Sequence, residues 1–372
     1  MSGDDPFGVP RRILHVTEAP LGGVATYLDE LIAQQLISLP GTEIDVIMPE
    51  VNRAALSSLG GPRLHIHGFE QKRGSLRDLA ALGGRTIRHI RRTRPEIVHL
   101  HSSYAGAVVR GLVPLIPRGT KLIYCPHGWA FSRQGSARMQ RGTAMVERLL
   151  SRTSDRIICI SDHERREALR IGIPAARLVV IDNGVSPHAG LCAPRASQGG
   201  AIRLVAFAGR FDRQKGFDTF VEVMRRLEGR AQGVAIGSAI VSDGGLPDLP
   251  PNVEILGWQP REKVFELFRR ADLLLVPSRW EGFGLVALEA MQARLAVFAS
   301  RVGGLQDIVV DGRTGRLFTP DAADEIADLI LASSDEDLSR YGEEGFRRYA
   351  DRYTAERMAR EVAALYGDLL SE

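Results

Sequence analysis

Two long stretches of this chain share one grammar, and that grammar constrains the fold more than any single residue does. In each, short runs rich in Val, Ile and Leu alternate with stretches of helical period, and each run ends in a Gly, Pro, Ser or His cluster that marks a turn. The first stretch carries strand candidates at Ile13 to Thr17, Glu43 to Met48, Leu64 to His67, Ile97 to His101, Lys121 to Cys125 and Arg156 to Ile160, with a helix from about Gly23 to Leu36. The pattern lapses between Asn183 and Gly200, which reads as a linker. It restarts with strands at Arg203 to Ala208, Gly233 to Ile236, Val253 to Leu256, Leu273 to Val276 and Leu295 to Ala299, separated by helices near Gly216 to Leu227, Arg261 to Arg270 and Leu285 to Ala293. From about Asp321 the chain reads as helix, broken near Ser333 and again near Tyr353-Thr354. Such alternation predicts parallel sheets covered by helices on both faces. The expectation is therefore an α/β chain of two doubly wound domains, 1–190 and 200–352. With 372 residues, 44% of them apolar, both can bury a core.

Several function classes fall away on composition. No stretch of 18 uncharged apolar residues is present, and the segment Met1 to Arg12 has acids and prolines where a signal peptide needs an apolar run, so the expectation is a cytoplasmic protein. Cys125, Cys159 and Cys192 are odd in number and far apart, which argues against a disulfide framework or a zinc site. Up to residue 190 there are 25 Lys and Arg against 17 Asp and Glu, and beyond it 23 against 28. Part of the basic surplus lies in one helix, where Arg85, Arg88, His89, Arg91, Arg92 and Arg94 make a cationic patch. A solvated helix face is the plainer reading; contact with an anionic membrane surface or a phosphate-bearing acceptor is the functional one. Nucleic acid is not an expected partner, because the basic residues are not interleaved with stacking aromatics and no helix-turn-helix or zinc-finger spacing occurs.

In open α/β sheets ligands sit beyond the carboxyl ends of the strands, so residues just after strands carry the functional weight. After Leu273 to Val276 comes Pro277-Ser-Arg-Trp-Glu281-Gly282-Phe283-Gly284-Leu285, running into a helix that holds Glu289. The glycines allow a sharp turn and close approach to a ligand, and the helix start offers unpaired N–H groups and a positive dipole end. Eight residues at the helical rise place Glu281 and Glu289 roughly 12 Å apart, which suits one carboxylate accepting from sugar hydroxyls and the other from ribose hydroxyls. Glu289 lies among apolar neighbours, where a carboxylate needs donors. Gly209-Arg210 to Lys215-Gly216 follows the strand Arg203 to Ala208; a guanidinium and an ammonium there can hold two phosphates. Gly22-Gly23 joins the first strand to the first helix. It lacks the three spaced glycines of a dinucleotide fingerprint, which weakens a dehydrogenase reading. His127, after Lys121 to Cys125, either caps its strand or bonds a transferring sugar, and the loop Trp129 to Arg141 mixes aromatic and basic residues suited to an acceptor. Ser161 and Asn183-Gly184-Val185 are weaker candidates. Asp335-Glu336-Asp337 formally matches a metal-binding Asp-x-Asp, but after Ser333-Ser334 it reads as the charged start of a helix.

Taken in order, Gly22-Gly23, His127, Asn183-Gly184, Gly209-Arg210, Lys215-Gly216 and the pair Glu281 and Glu289 resemble the retaining glycosyltransferases of family 4, also called glycosyl transferases group 1. The resemblance implies the GT-B architecture, two facing Rossmann-like domains with a cleft between them, with a C-terminal helix of about 353–372 packing back on the first. It implies that Arg210 and Lys215 bind the donor diphosphate, that Glu289 holds the ribose, and that Glu281, His127 and the backbone from Gly282 to Leu285 contact the sugar. The implied donor is a UDP- or GDP-linked sugar, with no cofactor, and with no metal needed if Arg210, Lys215 and the helix start stabilise the leaving phosphate. The lack of a membrane span beside a basic first half fits an enzyme at the inner face of the cytoplasmic membrane acting on a glycan or lipid-linked glycan in bacterial surface polysaccharide or glycolipid synthesis, with a soluble acceptor as the other option. The segment Gly237 to Gly245 departs from the short Gly-rich turn usual there, which leaves the base open. An epimerase or hydrolase on the same architecture, and a non-catalytic nucleotide-sugar-binding subunit, are the alternatives.

Overall fold

The structure, a computed structural model, describes residues 9–18, 20, 22–70, 75–132, 135–188, 203–239 and 247–372. The chain forms two compact units, Met1–Gly184 with Ala355–Glu372, and Val185–Thr354. The first boundary thus falls earlier than residue 190. Cys192 and most of the expected linker lie outside the described residues, as do 240–246.

The first unit runs β1 (Arg12–Thr17), α1 (Gly23–Ser38), β2 (Glu43–Pro49), β3 (Leu64–Phe69), α2 (Leu76–Thr93), β4 (Ile97–His101), α3 (Ser103–Gly111), β5 (Lys121–Cys125), α4 (Ala137–Leu150), β6 (Arg156–Cys159), α5 (Asp162–Arg170) and β7 (Leu178–Val180). Its strands pair in parallel in the order β3-β2-β1-β4-β5-β6-β7. The second unit runs β8 (Arg203–Ala208), α6 (Phe217–Arg226), β9 (Ala231–Ile236), β10 (Val253–Gly257), α7 (Arg261–Arg270), β11 (Leu273–Val276), α8 (Leu285–Gln292), β12 (Ala296–Ser300), α9 (Leu305–Ile308), β13 (Gly315–Phe318), α10 (Ala323–Ala332) and α11 (Asp335–Arg352). Its order, β10-β9-β8-β11-β12-β13, repeats the first, again all parallel. The order reverses between β1 and β4 in one sheet and between β8 and β11 in the other. These switch points are where crossovers leave to opposite faces and open a crevice at the strand ends.

The central strands bury almost every side chain, as strands covered on both faces must. Helix α12 (Ala355–Ser371) returns to the first unit, where Met358, Val362, Leu365, Tyr366 and Leu369 form a buried stripe at helical spacing. The breaks at Ser333 and at Tyr353-Thr354 separate α10, α11 and α12. Ser334 caps α11 in a reciprocal box with Asp337, while Asp335 pairs with Arg203 and Asp337 with Arg340 at 2.7 Å. The acidic triplet is thereby occupied in starting a helix. The five arginines of the basic patch, four on α2 and Arg94 just after it, are exposed, but His89 is not part of it. It is buried, with Nε2 3.4 Å from Asp45 Oδ1, because its position on the helix turns it to the sheet. Asp45 also receives Arg12 at 2.7 Å and His67 at 2.6 Å, and these donors outweigh its burial and hold the carboxyl well below its usual range.

A buried Arg–Glu pair lies inside the first unit. Arg110, fully buried, meets Glu147 at 2.7 Å, stacks over the Tyr124 ring at 3.7 Å, and Tyr124 donates to Glu147 at 3.0 Å. Breaking such a pair strands a dry charge, whereas replacing both partners removes two desolvation penalties. Arg110→Met is expected to lose about 3–5 kcal/mol in chemical denaturation, and adding Glu147→Leu to regain most of it. A double variant as weak as the single one contradicts this account.

Candidate active site

Two loops at the β8/β11 switch point build a continuous polar surface in the second unit. The loop after β8 turns at Gly209 and Gly216; a Cβ at Gly216, whose φ is +67°, would overlap the Pro277 carbonyl at the end of β11. Only glycine lets the two loops come this close. They are then tied by polar bonds. Arg279 N donates to Gln214 O at 2.9 Å, Gln214 Nε2 reaches Trp280 O at 3.4 Å, and Arg279 Nη1 donates to Arg213 O at 2.8 Å. The Arg279 guanidinium also meets Asp218 and Asp321 at 2.8 and 2.7 Å, partners that raise its pKa further.

Within this frame the expected residues meet in part. Lys215 Nζ lies 2.5 Å from Glu281 Oε2, with Ser278 Oγ at 3.4 Å from the same oxygen. Arg210 turns back onto its own loop, to Asp212 at 3.1 Å and Gln214 at 2.6 Å. Gly284, with φ +108°, starts α8, and no side chain caps that start; Phe283 is buried, while Gly282 and Leu285 are partly exposed. Glu289 sits on the second turn of α8, mostly buried, 3.4 Å from Arg261 of α7. The donor expected for a carboxylate among apolar neighbours is thus supplied by the protein. The helical spacing expected between Glu281 and Glu289 does not hold, because the helix begins only at Leu285 and the preceding residues form a turn.

Gly303 and Gly304, after β12, are contacts the sequence reading passed over. A Cβ on Gly303 would overlap the Glu281 carbonyl, and one on Gly304 would crowd Gly282 and Phe283. Adjacent glycines after a strand were the available signal, the same one read at Gly22-Gly23.

In the first unit, Gly22 (φ +56°) starts α1 without a side-chain cap or an acid in the first turn, leaving an electropositive helix end into which Gly23 leads. Ser102 and His127, at the ends of β4 and β5, hold left-handed backbones at φ +74° and +53°. Positive φ is uncommon and strained in non-glycine residues, so surrounding contacts hold these two strand ends. His127 Nε2 lies 3.0 Å from His101 Nδ1, its Nδ1 is 3.7 Å from the Cys125 thiol, and Tyr27 meets the ring edge-on. Burial pushes the imidazole down to about 3, so the ring is neutral. The loop beyond it does not present its aromatics outward. Trp129 and Phe131 are buried and stacked on each other, since both sides of the loop are drawn into the core; Arg133 lies outside the described residues. Ser161 is buried as the cap of α5, and Asn183 is buried too.

Glu164, on α5, holds the His127 loop in place. Its carboxylate accepts from Gly128 N at 2.5 Å and Ile160 N at 3.0 Å, and its carbonyl accepts from Trp129 Nε1 at 2.9 Å. Burial outweighs those donors and raises the carboxyl from 4.5 to about 7. An acid whose pKa rises on folding binds its proton more tightly in the folded state. Its stabilisation is full below 4.5 and is lost as pH climbs through about 7. Thermal unfolding should therefore show the natural chain losing more stability than Glu164→Gln between pH 5 and 8; parallel pH profiles would refute the assignment.

Residues 200–348 match the family Glycosyl transferases group 1, and residues 21–189 match Glycosyltransferase Family 4. The lipopolysaccharide core biosynthesis mannosyltransferase LpcC of Rhizobium leguminosarum bv. viciae is 32% identical over 265 residues, 64% of this chain and 71% of that protein. An uncharacterized 41.2 kDa protein in the cps region of Klebsiella pneumoniae is 29% identical over 331 residues, 86% of this chain and 89% of its own. Among solved structures, sucrose-phosphate synthase from Thermosynechococcus elongatus superposes with a TM-score of 0.80 at 21% identity, covering 97% of this chain and 99% of that one. Anabaena HepE in complex with UDP and glucose gives 0.78 at 18% identity, with the same coverage.

Proposed function

The chain belongs to the glycosyl transferases group 1, with the GT-B fold and glycosyltransferase activity, and from that premise we propose that it moves a hexose, with retention, from a UDP- or GDP-linked sugar to a glycan or lipid-linked acceptor. The observation that carries this reading is the pairing of Lys215 with Glu281 across two loops locked together at one switch point. It sets a cation for a phosphate beside a carboxylate for sugar hydroxyls, next to the uncapped start of α8.

In the proposed reaction the bond from the anomeric carbon to the leaving diphosphate oxygen breaks, and the acceptor oxygen bonds that carbon on the same face. The acceptor's proton passes to the departing diphosphate. Arg210, Lys215 and the α8 start stabilise the charge that develops there, which makes a divalent cation unnecessary. Glu289 holds the ribose, and Glu281, His127 and the backbone from Gly282 to Leu285 orient the sugar, with Gly22 and Gly23 offering backbone N–H groups. Surface polysaccharide or glycolipid synthesis fits the lipopolysaccharide core named for LpcC.

The first unit supplies a surface for a lipid-linked acceptor at the inner face of the membrane. Besides the five patch arginines on and just after α2, helix α4 exposes Met139, Met145, Val146 and Leu149 alongside Arg138, Arg141 and Arg148. Apolar side chains flanked by arginines suit an anionic interface. Among the described residues, no helix is long and apolar enough to cross a membrane.

With EDTA present throughout, UDP or GDP should raise the melting temperature selectively and name the base. Glu289→Ala should weaken that nucleotide about 10- to 100-fold, and Lys215→Ala should lower kcat about 100-fold. Turnover that needs a restored divalent cation, or is unchanged in either variant, refutes the mechanism. In flotation assays, vesicles containing phosphatidylglycerol should carry the chain up the gradient and pure phosphatidylcholine should not, with Met145→Asp/Leu149→Asp releasing it; retention by both vesicles or by neither refutes the surface.

A further inference from the structure

Six polar side chains of the first unit are joined end to end beneath the loop that carries His127. From His127 Nε2 the chain passes to His101 Nδ1 at 3.0 Å, from His101 Nε2 to His15 Nδ1 at 3.0 Å, and from His15 Nε2 to Gln35 Oε1 at 2.9 Å. Gln35 Nε2 then donates to the Tyr366 hydroxyl at 3.4 Å, which lies 2.8 Å from His99 Nδ1. The fold aligns them. His99 and His101 alternate on β4 and so share a face, His15 pairs with His99 in the β1–β4 register, Gln35 comes from α1 and Tyr366 from α12. Beyond His127 every member is buried.

The spacing of His15, His99 and His101 is one a metal ion could use. The geometry favours hydrogen bonding instead: His15 and His101 turn ring nitrogens on each other at 3.0 Å, with ring planes 28° apart and centroids 5.2 Å apart. Burial keeps all four imidazoles neutral, taking His15 down to about 4 and His99 and His101 well below their usual value.

A neutral imidazole has one N–H and one lone pair, so each link dictates the next. The Gln35 oxygen only accepts, so His15 carries its proton on Nε2 and offers a lone pair at Nδ1. His101 must then donate from Nε2 and accept at Nδ1, and His127 must donate from Nε2. We propose that Gln35, as a positioning residue, sets the tautomer of His127 through His15 and His101, so that His127 presents a lone pair at Nδ1. The last helix joins this chain through the Gln35 amide, which donates to the Tyr366 hydroxyl and turns its oxygen to His15. Nδ1 already lies 3.7 Å from the Cys125 thiol, a weak contact that a sugar hydroxyl would replace; that functional consequence rests on the proposed role of His127, and the tautomer chain does not. Turning the Gln35 amide over would reverse every link. It would also change His99 Nε2, which has no partner, from an orphaned donor to an orphaned acceptor. Reversed polarity is therefore the competitor to exclude.

Long-range proton–nitrogen correlation on the full chain labelled with 15N-histidine reads the tautomers without reference to activity. The expected result is Nε2–H for His15, His101 and His127, kept in Gln35→Glu, which retains an acceptor oxygen, and lost at His127 in Gln35→Leu. In the transfer assay Gln35→Leu should lower kcat about tenfold, the worth of one hydrogen bond, with donor KM within about twofold, and Gln35→Glu should restore most of the rate. A proton on Nδ1 of His127 in the natural chain overturns the proposal, as does a folded Gln35→Leu with an unchanged His127 tautomer. If Gln35→Leu does not fold, the spectrum of the natural chain still decides. An inactive chain with the expected tautomers would sink the proposed function and leave this inference standing.

Discussion

Parallel strand pairing is the constraint from which the rest follows. A parallel strand cannot be reached by a hairpin, so every connection must cross a face of the sheet and every strand must end on the same edge. Where the order reverses, successive crossovers part to opposite faces and the two strand ends beside the gap are left to ligands. Both sheets reverse at their third strand in space, between β1 and β4 and between β8 and β11. In the second unit that geometry brings Lys215 and Glu281 together although 66 positions separate them. In the first it sets Gly22 and Ser102 at the ends of neighbouring strands.

Strands buried on both faces announce themselves, and this is why the interior of each sheet was legible. Ile97–His101, Lys121–Cys125, Arg203–Ala208 and Leu273–Val276 end where their composition says they should. The two strands passed over, β7 and β13, are edge strands of three and four residues. Edges pack on one side, tolerate Arg316 within the run, and leave too short a pattern to read. The family motifs marked the loops after β8 and β11, but not the way those loops are fastened. Arg279 acts through guanidinium contacts to Asp218, Asp321 and the Arg213 carbonyl that no local spacing encodes, whereas Gly303-Gly304 carried a signal that went unread. Sequence also misjudged exposure, placing His89 on a surface patch and Trp129 and Phe131 at an acceptor face, because neighbours in sequence point in different directions once a helix or turn is formed. The alternation of His99 and His101 in an apolar strand was visible, and only the register with β1 makes it a chain.

The two sets of strand ends solve opposite electrostatic problems. In the first unit, ionisable groups are stripped of water and lose their charge: His127 is held neutral and Glu164 is pushed towards its protonated form. Hydrogen-bond direction is then the property left to carry information, and it survives only while every link is made. In the second unit the charges remain, and each is matched: Lys215 to Glu281, Arg210 to Asp212, Arg261 to Glu289.

Matching of that kind decides how readily a ligand can be received. Arg210 and Arg261 are about two-fifths exposed in their pairs, where an ion pair is worth about 0–1 kcal/mol. Exchanging such a carboxylate for a phosphate or a sugar hydroxyl loses little, so the side chains can be recruited cheaply. The backbone cannot be rearranged so easily, because Gly216 against Pro277 and Gly303 against Glu281 leave no room even for a methyl group. Rigidity therefore resides in the main chain and adaptability in the charged tips. If these loops bind the donor as proposed, the N–H groups and helix start are fixed before it arrives, Arg210 and Arg261 are weakly held, and the more buried pair Lys215–Glu281 is the one whose exchange costs most.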